Sequence, residues 1–144
     1  MVRGERIKFY RFSGSPDLTV SATGAKDAYS SYPLNGKIQS IYYEDGDYTA
    51  TGSIQIFVSG TTVGTTSDEG TILSLTSGTA TGHNLGEDWT VFPRASCVHT
   101  SGVPLSGPDG WNTFAEIPIW STVRVVVSGA GNATSPSGLT IVYI

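Results

Sequence analysis

Charge is scarce in this chain: 14% of its 144 residues are Asp, Glu, Lys or Arg, against roughly 25% in an ordinary soluble domain. Solubility must rest on hydroxyls and amides, which leaves surface that neighbouring molecules can cover. The net charge of −4 offers no basic face to neutralise phosphates, so nucleic acid is excluded as a partner. A single cysteine, Cys97, rules out an intrachain disulfide framework and suits a protein made in a reducing cytoplasm. No apolar run approaches the ~18 residues of a membrane span, and the residues after Met1 do not form a signal peptide. Two histidines, His83 and His99, are too few for most histidine-based catalytic or metal sites. Neither stands in a spacing that marks one.

What the chain does have is Ser, Thr and Gly, 18 of each. Ser and Thr compete for backbone hydrogen bonds in a helix and Gly loses the most entropy there, whereas Thr suits a half-buried strand. The expectation is an all-β fold, a single antiparallel β-sandwich of jelly-roll type. Strands are predicted over 17–22, 36–43, 52–58, 71–75, 89–92, 122–127 and 139–143, separated by Gly, Pro and Asn clusters. Ile54, Ile56 and Val58 alternate on one face of the third of these. Residues 24–33 read as a loop, and Val98 to Trp111, with Pro104 and Pro108, as a long loop of the kind that carries binding residues.

The first dozen residues are set apart by charge. Arg3, Arg6, Lys8 and Arg11 oppose Glu5 alone, a local charge of +3, while the remainder carries −7. Ile7 and Phe9 alternate with Lys8 and Tyr10. Two readings stay open, an extended arm that docks on something larger and a first strand with solvated charges. The domain division places an N-terminal arm at 1–16 and the sandwich at 17–144, with Arg3, Arg6, Ile7, Lys8, Phe9 and Arg11 as the arm's contact residues.

No motif for catalysis or for a cofactor stands out. Cys97 and His99 would share a face of a strand, but a thiol and an imidazole without an orienting group do not make a nucleophilic site. The acidic turns at Glu44/Asp45/Asp47, Asp68/Glu69 and Glu87/Asp88 lack the twelve-residue calcium-loop pattern, and 60–64 lacks the ending of a phosphate loop. No enzyme activity, metal or cofactor is therefore expected. The three tryptophans and seven tyrosines suit core or interface anchoring better than a sugar platform. Phe92, Arg94, Trp111 and Trp120 are the candidate loop binding surface.

From Leu34 onward the chain resembles small virion proteins of tailed phages. The resemblance is carried by Gly36-Lys37-Ile38-Gln39-Ser40-Ile41-Tyr42 and Ser53-Ile54-Gln55-Ile56-Phe57-Val58. It continues in the corner Phe92-Pro93-Arg94, the Gly- and Pro-rich stretch from Thr100 to Gly110, and the end strands Val123 to Val127 and Leu139 to Tyr143 about the turn Gly129-Ala130-Gly131-Asn132. It implies a capsid decoration, or cement, protein with a jelly-roll fold that is made in the host cytoplasm and sits on the outer capsid surface. Such proteins are commonly homotrimers, and their N-terminal arms reach onto the major capsid protein. Before Leu34 the arm rests on charge and alternation. The competing expectation is a tail-fibre or carbohydrate-binding module, since one sandwich serves several functions.

Overall fold

The computed structural model describes residues 6–59, 68–75, 83–96 and 114–144. Among these there is no helix, and eleven strands form. They are β1 (Lys8–Ser13), β2 (Lys26–Tyr29), β3 (Gly36–Glu44), β4 (Ser53–Ser59), β5 (Asp68–Leu75), β6 (Trp89–Val91), β7 (Arg94–Ser96), β8 (Phe114–Glu116), β9 (Pro118–Ile119), β10 (Val123–Ser128) and β11 (Gly138–Tyr143). One sheet has the order β1-β11-β3-β6 with β9 also on β3, a second the order β2-β10-β4-β5, and β7 and β8 make a small ribbon. The chain is an all-β antiparallel sandwich.

Strict alternation builds the two inner faces. Ile54, Ile56 and Val58 of β4 meet Val127, Val125 and Val123 of β10 in register, and all six are buried. From the opposite sheet Phe12, Ile41, Tyr43, Leu139 and Ile141 complete the core. Burying each such side chain is worth about 1.5–3 kcal/mol. The larger aromatics bring polar ends inside, and each end is satisfied: the Tyr43 hydroxyl donates to the Leu85 carbonyl at 2.6 Å, the Tyr48 hydroxyl to that of Leu18 at 2.5 Å. Tyr43 stacks on Trp89 at 4.9 Å. Burial pushes both phenols well above the usual tyrosine range.

The pairing is nested. The outermost strands of the chain pair with each other (β1 with β11), then β2 with β10, β3 with β6 and β4 with β5. The first half therefore runs as a ribbon antiparallel to the second. Curling that ribbon adds the contacts β11 to β3 and β10 to β4, and these divide it into two sheets.

Two segments differ from the sequence expectation. Residues 17–22 are not a strand: the Asp17 carboxylate accepts a hydrogen bond from the Ser13 backbone N–H, closing a turn that drops Leu18 and Val20 into the core. Inside the predicted loop 24–33, Lys26–Tyr29 is the strand β2. Only Ala28 of these four is buried, too little for a periodic signal, and the strand exists because the valine-rich β10 offers its edge. The long loop from Val98 to Trp111 lies outside the described residues.

Candidate docking face

β1 ends the path of its sheet. Within the segment read as an arm, Lys8–Ser13 pairs along its whole length with β11, and Phe12 is a core residue at 1% exposure. Of the six contact residues assigned to that arm, Arg3 lies outside the described residues. The other five lie on or beside β1.

Alternation divides them. Lys8 and Tyr10 share the inward parity of Phe12, and the Lys8 ammonium lies 5.0 Å from the centre of the Tyr143 ring while donating to the Asn35 carbonyl at 2.8 Å. Phe9 and Arg11 point outward, in register with Val142 and Thr140 of β11. The register continues across the sheet, from Val142 to Ser40 and from Thr140 to Tyr42, and from Tyr42 to Thr90. Phe92, two residues beyond Thr90, follows the same parity. The outer face of the five-stranded sheet thus carries Phe9, Phe92, Tyr42 and Val142, with Ile7 at its margin. Ile7 is 60% exposed, Phe9 65% and Phe92 66%. Exposure of several large apolar side chains on one sheet face is the ordinary mark of an interaction surface.

Cations border this face. Among the described residues Arg11 is the one of them in an ion pair: its guanidinium reaches the Glu44 carboxylate at 2.7 and 3.2 Å and the Ser137 carbonyl at 3.1 Å. Gly138 lets it lie there, since a Cβ at that position would come within 2.4 Å of the guanidinium. The hydrogen bond from Arg11 lowers the Glu44 carboxyl from its ordinary value. Arg94 donates to the carbonyls of Gln39 and Pro93 at 3.3 and 2.7 Å, which fixes the Phe92-Pro93-Arg94 corner against β3. Arg6, Lys37 and Arg94 make no ion pair among the described residues. Gly36 opens β3 with φ near 149°, and a Cβ there would meet the Ile144 carbonyl oxygen at 2.1 Å; the close approach of β3 and β11 therefore requires glycine.

The outer face of the four-stranded sheet is built differently. Arg124 is in register with Tyr29 on one side and Phe57 on the other. Its guanidinium lies 6.0 Å from each ring and donates to both Asp27 oxygens at 2.7 and 2.8 Å. Its planar fork matches the carboxylate, and its flat face suits the rings.

Of the residues that sequence reasoning named, the strand register places Phe9 and Arg11 on this face, Ile7 stands just before β1 and Phe92 just past β6, and Arg94, in the β7–β8 ribbon, reaches the Gln39 carbonyl of β3. Trp120, half exposed, follows β9, which pairs with the start of β3. Trp111 lies outside the described residues, as do Cys97 and His99. Tyr42 and Val142 were not singled out; the alternation of Ile41 and Tyr43 against Tyr42 could have signalled the first. Among the described residues no three of His, Cys, Asp and Glu converge as a metal site requires.

No family model, curated protein or solved structure matches this chain.

Proposed function

We propose that this chain is a decoration protein of a tailed-phage head, seating the outer face of its five-stranded sheet on the major capsid protein and stabilising the lattice. The observation that carries the reading is the exposure of Phe9 and Tyr42 on that one face, beside Val142, with the exposed Ile7 just before β1 and Phe92 just past β6. It unites the basic N-terminal segment with the Phe92-Pro93-Arg94 corner, the two features that set this sequence apart. Exposed aromatics supply the area that anchors an interface, and Arg6, Lys37 and Arg94 at the border favour an acidic partner and speed its capture.

The strand order supports the jelly-roll form of the fold. Counting the eight main strands in chain order, the sheets read 1-8-3-6 and 2-7-4-5, which is what a doubled ribbon gives when it curls into two nested Greek keys. In this reading the protein assembles as a homotrimer on the outside of the capsid. Symmetric repetition lets modest individual contacts sum to stable attachment.

The test is cosedimentation of the recombinant protein with purified heads that lack it. The wild-type chain should saturate the heads, and a Phe9→Asp/Phe92→Asp variant that folds normally should stay in the supernatant. Wild-type protein that ignores heads and is found instead in purified tails would overturn the proposal.

A further inference from the structure

At the open side of the sandwich the free edges of β1 and β2 face one another across a cleft of about 430 Å³, lined by Tyr10, Pro16, Asp17, Lys26, Asp27, Ala28, Tyr29 and Ser31. That volume is within the usual range for a small-molecule site. The lining is unusual for one. Pro16 and Ala28 are its only aliphatic members, and the rest are tyrosines, carboxylates, an ammonium and a hydroxyl.

Several of these groups are already held in place. The Tyr10 hydroxyl accepts from the Ser31 N–H at 2.8 Å and lies 3.3 Å from the Ser31 hydroxyl oxygen, tying one wall to the other. Asp27 is clamped by Arg124, whose guanidinium also lies against the Tyr29 ring. Tyr29 is thereby held at the mouth of the cleft with 45% of its surface exposed. Lys26, half buried, makes neither an ion pair nor a hydrogen bond among the described residues. It is an unspent donor in a cleft whose other polar groups are partly engaged.

The chemistry selects among ligands. Two carboxylates, Asp17 and Asp27, repel an anion, and Arg124 leaves only one of them without a cationic partner, so a cation gains little. A lipid or flat aromatic ligand would strand the polar lining without partners. An uncharged polyhydroxyl ring suits the groups that remain: its hydroxyls can donate to the Asp17 carboxylate and accept from the Lys26 ammonium, and its C–H face can pack on the exposed Tyr29 ring.

We infer that this cleft is a binding site for one sugar ring of a glycan, with Tyr29 as the stacking platform and Lys26 as the principal donor. The site is separate from the sheet face assigned to attachment. A seated protein could therefore hold its lattice by one surface and a saccharide by another.

The test is titration of the full chain with the methyl glycosides of glucose, galactose, mannose and N-acetylglucosamine, followed by backbone amide NMR. At least one should shift the amides of Lys26, Asp27, Tyr29 and Ser31, with a dissociation constant on the order of 1 mM, as expected for a single ring in an open cleft. Tyr29→Ala and Lys26→Ala should each weaken it about tenfold or more, whereas Tyr29→Phe, which keeps the ring, should retain most of it. Absence of shifts with all four sugars at about 20 mM, twentyfold above that constant, would overturn the inference. So would shifts that persist unchanged in both alanine variants. Head attachment should be the same in wild type and Tyr29→Ala, so this site and the docking face fail independently.

Discussion

The two outer faces of the sandwich come from the same alternation rule, yet they treat their cations in opposite ways. On the four-stranded sheet Arg124 spends its charge inside the molecule, on Asp27 and two aromatic rings. On the five-stranded sheet the aromatics are exposed, and Arg6, Lys37 and Arg94 border them without carboxylate partners among the described residues. A face that satisfies its own groups gains little from a neighbour. A face with exposed rings, bordered by cations that lack carboxylate partners among the described residues, gains both area and charge pairing. The contrast, rather than composition, favours the five-stranded face as the proposed docking surface, because both sheets contribute exposed aromatics.

Three substitution experiments can break that contrast. The largest effect is expected for Phe9→Asp with Phe92→Asp, which places a charge at each side of the face, one on β1 and one just past β6. Attachment should fall by at least about 100-fold, since a desolvated or unpaired charge at an interface core costs about 2–5 kcal/mol, while the melting temperature stays close to wild type. Binding isotherms on purified heads, read beside thermal melts, would check both halves of that statement.

Arg124→Ala should act in the reverse sense. It removes a charge-assisted pair and the cation from two rings, so stability should drop by about 1–3 kcal/mol in denaturant unfolding, and head affinity should not change. If Arg124→Ala weakened attachment as much as the double aspartate variant, the distinction between the faces would collapse.

The smallest effect belongs to Glu44→Gln, at the edge of the docking face. The pair it forms with Arg11 is largely exposed, which limits its worth to about 0.2–1 kcal/mol. Because the folded state lowers the Glu44 carboxyl, its stabilisation is present above the ordinary carboxylate range near pH 4.3 and is lost as pH falls through the lowered folded value. Acid-unfolding curves of wild type and variant should therefore differ at neutral pH and converge at the acid end.

How much of this was legible in the sequence depends on whether a contact is local. Ile54, Ile56 and Val58, or Val123, Val125 and Val127, announce a strand and its buried face by spacing alone. β2 does not, since Lys26-Asp27-Ala28-Tyr29 becomes a strand only by pairing with a segment nearly 100 residues later. The alternation over 17–22 misled for the opposite reason: a local side-chain bond from Asp17 closes a turn before any ladder can form. Charge marked the N-terminal segment as unusual, but its pairing with β11 spans almost the whole chain and left arm and strand undistinguished. The cleft was illegible because its lining comes from β1, β2 and the turns beside them. None of its residues carries a motif.

The pairing of β1 also decides how the docking face can be tested. Truncating residues 1–12 would remove Phe12 from the core and leave β11 with β3 alone as its partner, so loss of attachment would be confounded with loss of fold. Point changes on the outward parity leave the inward residues in place.

The most direct test of the central claim is a cryo-electron microscopy reconstruction of decorated heads at side-chain resolution. The account predicts that Phe9, Tyr42 and Phe92 are buried against the major capsid protein and that the Arg124 face lies away from the shell. A reconstruction in which the Arg124 face contacts the shell and Phe9 and Phe92 stand in solvent would contradict it.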